Sequence, residues 1–228
     1  MGEQITTTTP QKRKRKWYDI VITIILSILF VITMSFVVFS IIFVKIEVVG
    51  VSMQPTYNIN LETGKSREYY EKSQYRDKVY VNRFDKGKRG DIIVVTTQTK
   101  VDDKIVKEKV IKRLVAVGGD SVDFQQDGEY YYFYLNGEKQ LENYIKDQSA
   151  MLTCYEKFVA YKQSLGVRQD QPIKLADNQV FILGDNRGAN SKDSSTYGPV
   201  DKKDIVGKVT FSVPYNKNFI SYIIFGQK

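Results

Sequence analysis

No histidine occurs anywhere in the 228 residues. That absence removes a histidine-based triad, a histidine metal site and a haem histidine ligand before any motif is read. A single cysteine, Cys154, excludes an internal disulfide and the cysteine-rich zinc or iron–sulfur patterns. A cysteine nucleophile would still need a base, and the usual one is missing. In a helix, buried or half-buried, Cys154 reads as a residue without a chemical role. There is no internal repeat and no low-complexity tract. The length allows one domain of ordinary size plus a short accessory element.

The formal net charge is +8, and part of it is concentrated in the unbroken run Lys12-Arg13-Lys14-Arg15-Lys16. Immediately after it, Ile20 to Val44 carries no charge at all. As a helix this stretch would be roughly 37 Å long, enough to cross a bilayer with some tilt. Trp17 and Tyr18 stand where interfacial aromatics do. The apolar run is longer than the core of a secretory signal, and Lys45-Ile46-Glu47 follows it instead of a small-residue cleavage site. The expectation is an uncleaved anchor with a cytoplasmic N-terminus, because the positive charges precede the span. Its position beside the span accounts for the basic run, so nucleic-acid binding is not expected. The expected organisation is a basic cytoplasmic tail over 1–17, a transmembrane helix over 18–45 and an extracytoplasmic domain over 46–228.

The soluble part reads as mainly β. Val48, Val49 and Val51 favour an extended strand at the membrane exit. Residues 58–76 are polar, consistent with a loop or a ragged helix. Strands are expected at 79–84 and 91–98, paired as a hairpin, with 99–108 as a charged connection. VIKRLVAV (110–117) is a third strand, stopped by Gly118-Gly119-Asp120. SVDFQ and YYFYLNG follow, the latter ending in an Asn-Gly turn. Residues 147–165 have helical spacing, with Gly166 as the stop. QVFILGDN (179–186) is a strand running into a tight turn, and the tail supplies one or two more. FISYIIF, near the end, is too short to span a bilayer and reads as a buried strand or a membrane-surface patch.

Three short stretches stand out: GVSMQPT at 50–56, IKRLVAVGGD at 111–120, and GDNRGANSKDS at 184–194. Alone, Ser52 is a turn residue, Lys112 an outward-facing strand lysine, and Gly184-Asp185-Asn186 a turn. Chemistry joins them. Without histidine, a serine nucleophile needs another base, and a neutral lysine amine can serve. Free lysine titrates at about 10.4. Apolar packing disfavours the charged form and lowers that value. VIKRLVAV supplies such neighbours for Lys112, and strand alternation sends Arg113 to the other face.

With these residues in view, the chain resembles the bacterial type I signal peptidases, especially the single-anchor form of Gram-positive organisms. SMQPT resembles the family's serine box. RDKVYVN (76–82), IKRLVAVGGD and GDNRGANSKDS resemble the three boxes that follow, in family order, and YGPV near residue 199 is also family-like. The resemblance implies Ser52 as nucleophile and Lys112 as general base. It implies Ser191 as the serine that hydrogen-bonds and positions the lysine amine, and Asp193 as a structural carboxylate. It also implies a β-rich catalytic fold shared with self-cleaving repressors, here with a small inserted helical segment.

Three positions depart from the family pattern. Gly50 stands where some members place a serine hydroxyl that helps hold the oxyanion. Gly118 stands where the family often has proline. Ser195 replaces an arginine that pairs with the aspartate, which leaves Arg187 or Lys192 as candidate partners of Asp193. The implied reaction is removal of signal peptides from exported preproteins emerging from the translocase, after small residues in the Ala-X-Ala manner. No metal or other cofactor is implied. The substrate is expected as an added β-strand beside 47–49 and 109–111. Val48, Val49, Gly50, Met53 and Ile111 are candidate substrate-binding residues. Two other readings stay open: a dedicated maturation peptidase of the same serine–lysine class, and a non-catalytic anchored β-domain of the secretion machinery.

Overall fold

The computed structural model describes residues 16–101, 104–188 and 191–219. The chain divides into two units, Met1–Ile41 and Ile42–Lys228. The first carries helix α1 (Trp17–Ile42), in which no residue is buried. Among the described residues it is the one helix long and apolar enough to cross a membrane, with a mean hydropathy of 2.9 in its most apolar window. Its serine and threonine hydroxyls are satisfied within the helix. Thr23, Ser27, Thr33, Ser35 and Ser40 each donate to the carbonyl four residues earlier, as a helix without polar neighbours requires. The expected helix ran to Lys45, but α1 stops at Ile42. From Phe43 the backbone is extended, because Phe43 to Glu47 pairs with Asn82 to Lys78. Sheet pairing decides the boundary there, not apolar continuity.

The second unit holds β1 (Phe43–Glu47), α2 (Arg67–Lys72), β2 (Lys78–Asn82), β3 (Ile92–Val101), β4 (Lys104–Val117), β5 (Ser121–Asp127), β6 (Tyr130–Leu135) and β7 (Glu138–Lys139). There follow α3 (Met151–Ser164), β8 (Ile173–Lys174), β9 (Gln179–Leu183), α4 (Ser194–Tyr197), β10 (Val200–Asp201) and β11 (Ile205–Val213). Seven strands form one sheet in the order β1-β2-β11-β3-β4-β9-β10; four form a second, β7-β6-β5-β8. The mainly β architecture with one inserted helix is as the sequence suggested. Asn136 and Gly137 take φ of 54° and 84° in the turn between β6 and β7, the left-handed pair that a two-residue hairpin needs.

Three expectations are corrected. The strand at the membrane exit ends at Glu47, so Val48, Val49 and Val51 lie outside it. β2 and β3 do not form a hairpin: β11 lies between them. Residues 99–108 are not a mere connection, because β3 and β4 pair from Ile92↔Arg113 out to Val101↔Lys104. FISYIIF lies, beyond Phe219, outside the described residues.

Strands β3 and β4 are buried on both faces over 93–95 and 111–116. Val94 and Ile111 pack with Val48, Met53, Val79 and Val81. Ile93, Val95 and Leu114 pack with Val180, Ile182 and Ile205. The small sheet and α3 share a third core. Phe158 of α3 meets Phe124 at 5.2 Å and Phe181 of β9 at 5.7 Å between ring centres. Helix α3 therefore bridges the second sheet and the strand that leads into GDNRGANSKDS. Its end is fixed by Gly166, at φ 69°. The Gly166 N–H bonds the Gln163 carbonyl and the Val167 N–H the Lys162 carbonyl, the paired closure typical of a left-handed glycine cap.

One charged pair sits inside this third region. Lys162 Nζ lies 2.5 Å from Asp123 Oδ1, and also donates to the Gln169 carbonyl at 2.9 Å. Their side chains are 2% and 6% exposed. Removing one partner strands the other charge in the interior. Asp123→Ala is therefore expected to cost about 3–5 kcal/mol, read as a lowered denaturant midpoint in equilibrium unfolding. A midpoint equal to wild type would mean that the ammonium reaches water without its partner.

Candidate active site

The chain leaves β1 into a tight turn that carries Ser52. Gly50 begins it at φ 84°, a left-handed conformation that glycine adopts without strain. Gln54 N–H bonds the Val51 carbonyl and Tyr57 N–H the Met53 carbonyl; the Gln54–Pro55 peptide is cis. Val48 and Met53 anchor the turn in the core at 3% and 1% exposure. Buried Asn58 clasps it from beneath. Its amide donates to the Val48 and Gly50 carbonyls at 2.7 and 2.8 Å, and its carbonyl accepts from Asp77 N–H at 2.8 Å.

The turn after β9 holds Ser52 from the other side. Asn186 N–H donates to the Ser52 carbonyl at 3.1 Å, and the Asn186 amide to the Val51 carbonyl at 3.2 Å. Gly184 lies directly against the same peptide: a Cβ there would be 2.5 Å from the Ser52 carbonyl oxygen. Among the described residues, nothing accepts a hydrogen bond from the Ser52 N–H.

Lys112 comes from β4, in the middle of the large sheet. Its Nζ is 2.6 Å from Ser52 Oγ, its one hydrogen-bond partner among the described residues. The side chain is buried, and burial pulls its pKa below the ordinary lysine value of 10.5. Asp193, Asp185 and Glu108 pull the other way, while Lys157 adds to the lowering. Burial therefore favours the neutral amine, the form of lysine that can accept a proton.

Ser191 and Asp193 lie beside this pair. Ser191 Oγ donates to Asp193 Oδ2 at 2.9 Å. This differs from the direct bond to the lysine amine that the resemblance implies. Asp193 is 1% exposed. Its other donors are Gly184 N–H at 3.0 Å, Ser195 N–H at 3.1 Å and Ser195 Oγ at 2.6 Å. The partner of Asp193 is thus neither Arg187 nor Lys192. It is the serine that replaces the family's arginine, together with backbone donors and Ser191. Asp193 is also the cap of α4.

Arg187 is taken elsewhere. It is 1% exposed and pairs with Glu142 at 2.6 Å while donating to the Gly184 carbonyl at 2.9 Å. Next to Lys112, Arg113 diverges to grip Asp185 through Nε and Nη2 at 2.8 and 2.6 Å. Thr56 Oγ1 donates to the same carboxylate, and the Arg113 guanidinium stacks 3.9 Å from the centre of the Tyr144 ring. This ionic lattice ties the serine turn, β4 and the turn after β9 into one frame.

The candidate substrate-binding residues divide. Val48, Met53 and Ile111 share a core cluster with Tyr57 and Val79. Val49 is 42% exposed and Gly50 is half-buried. β4 pairs with β9 only from Arg113 onward, which leaves the 109–111 stretch without a strand partner on that side among the described residues. Sequence reading did not single out Asn58, Asp185, Arg113 or Gly184 as parts of the site. Gly184-Asp185-Asn186 had a turn signal, and Asn58 had none. Cys154 is buried, and burial pushes its thiol up to about 12, which leaves it an inert filler of the α3 core.

Comparisons with known proteins bear on the family to which the chain belongs. The family model described as signal peptidase, peptidase S26, matches residues 21–214. The chain is 33% identical over 202 residues to signal peptidase I P of Bacillus subtilis subsp. natto, covering 86% of this chain and 90% of that one. It is 27% identical over 195 residues to signal peptidase I of Bacillus licheniformis, covering 84% and 88%. A crystal structure of a signal peptidase I from Enterococcus faecalis V583 matches at 22% identity and a TM-score of 0.34, over 54% of this chain and 97% of that one. Overlap that low carries no argument about the fold. The long sequence matches do carry one about kinship: the chain belongs to the signal peptidase family, peptidase S26.

Proposed function

We propose that this protein is a membrane-anchored serine endopeptidase that removes signal peptides, with Ser52 as nucleophile and Lys112 as general base. The observation that carries the reading is the 2.6 Å approach of Lys112 Nζ to Ser52 Oγ in a buried site. Ser52 Oγ attacks the scissile carbonyl as the neutral amine takes its proton. The Ser52 N–H holds the developing oxyanion; Gly50 offers no hydroxyl to assist it. The lysine ammonium then protonates the leaving amine, and the same lysine activates water to hydrolyse the acyl-enzyme. Ser191 and Asp193 act by fixing the turn over the lysine.

The substrate adds as a strand along the 109–111 edge of β4, with Val49 and Gly50 facing it across the cleft. Met53, Val48 and Ile111 form the floor of the pockets that accept small side chains. α1 anchors the protein, the basic run keeps residues 1–17 in the cytoplasm, and residues 46–228 face outward. Preproteins leaving the translocase in the same bilayer are the substrates. Mapping the cut tests this reading. A preprotein with alanine at the first and third positions before the cut should release a product starting at the next residue. A phenylalanine placed immediately before the cut should stop it. Cleavage indifferent to that residue would contradict small, preformed pockets; cleavage of a single precursor alone would favour a dedicated maturation enzyme.

A further inference from the structure

The carboxylates that act on Lys112 are not equally balanced. Asp185, in the turn after β9, is paired with Arg113. Glu108, on β4, is paired with Arg67 at 2.7 Å. Asp193, the cap of α4, is buried and forms no salt bridge among the described residues; all four of its donors are neutral. A buried carboxylate without a cation favours a proton on any nearby base. Here the nearby base is Lys112, and its protonated form cannot accept a proton from Ser52.

One cation reaches the segment that carries Asp193. Lys157, half-buried on α3, donates to the Ser191 carbonyl at 3.3 Å. Ser191 in turn bonds Asp193 through its hydroxyl. Among the described residues no carboxylate pairs with Lys157, so its charge is not committed elsewhere. α3 itself is locked against β9 by Phe158 and Phe181, which fixes where the ammonium can reach. Lys157 also belongs to none of the four motif stretches.

We infer that Lys157 is a positioning residue of the active site: its charge offsets Asp193 and thereby keeps the Lys112 amine free of its proton. The inference rests on the serine–lysine reading and deepens it. The groups that bear on Lys112 are then Asp193 from the α4 cap, Asp185 with Arg113, Glu108 with Arg67, and Lys157 from α3. Lys157 is the one cation among them without a carboxylate of its own.

The test is the pH profile of kcat/KM for the full-length protein in detergent, with Lys157→Gln, Lys157→Arg and Lys112→Ala beside wild type. Lys157→Gln keeps a donor for the Ser191 carbonyl and removes only the charge. Its acid limb should move to higher pH, with an unchanged alkaline plateau. On that limb kcat/KM should fall about tenfold for each pH unit the limb moves. Lys157→Arg should restore the wild-type limb. A merely structural lysine would lower activity evenly across pH or lower the melting temperature, without moving the limb. An acid limb in Lys157→Gln that coincides with wild type overturns the inference. Retained activity in Lys112→Ala would instead overturn the serine–lysine reading beneath it, so the two failures are distinguishable.

Discussion

Ser52→Ala lowers kcat for preprotein cleavage by a factor on the order of 10⁶, and adding Lys112→Ala to it lowers kcat no further. The reason is that the two side chains act as one unit. Lys112 has no hydrogen-bond partner but Ser52 Oγ among the described residues, so once the hydroxyl is gone the amine has no proton to take. Residual cleavage then comes from substrate binding and the Ser52 N–H, which survive in both variants. Ser52→Ala should not disturb the fold. The turn is held through backbone groups, by Asn58 and Asn186, and not through the serine side chain. Single-turnover kinetics on the two single variants and the double variant checks this. Losses that multiply would mean that serine and lysine work in separate steps.

Gly184→Ala lowers kcat/KM by about 10²-fold or more, although the residue contributes no chemical group. A Cβ at this position meets the Ser52 carbonyl oxygen at 2.5 Å and Ser191 Oγ at 3.0 Å. The first contact is backbone, which cannot swing aside as a flexible side chain would. The serine turn must retreat, and with it the Oγ that faces Lys112. Displacements of about 1 Å in a reacting group cost about that factor. The retreat also strains the Asn186 N–H bond to the same carbonyl. Steady-state kinetics with a thermal melt on the same sample separates the effects: activity should fall far more than stability. Wild-type kcat/KM in this variant would mean that the close approach does not hold the nucleophile.

The parts of this fold that were legible in the sequence are those set by local pattern. The span at α1 is a matter of composition. The strands at 110–117 and 179–183 are apolar runs bounded by glycine, and the 130–139 hairpin announces itself by Asn136-Gly137. Pairings between distant segments had no such signal. β11 inserts between β2 and β3, and nothing in 79–98 indicates that a strand from residues 205–213 will separate them. The end of α1 was missed for the same reason, since the partner of Phe43 is Asn82.

The site divides in the same way. Ser52 and Lys112 could be proposed because the missing histidine left few bases, and because four stretches occur in family order. The frame around them was hidden. Alternation placed Arg113 only on the strand face opposite Lys112, and Asp185 read as a turn former; only in space do they form an ion pair at 2.6 Å. Ser195 looked like the loss of a partner for Asp193, yet its own hydroxyl and N–H take that place. An exchange of an arginine for two neutral donors satisfies the carboxylate's lone pairs but leaves its charge in place. That difference is what gives Lys157 its proposed role.

The most direct measurement of the central claim is cleavage of a signal-bearing preprotein by the detergent-solubilised full-length protein, with wild type and Lys112→Ala assayed side by side. The serine–lysine account predicts one cut, after the small residues, in wild type and no detectable cut in Lys112→Ala at any pH where the protein stays folded. Equal cleavage by both proteins would contradict it, since Ser52 would then be drawing on a base other than Lys112.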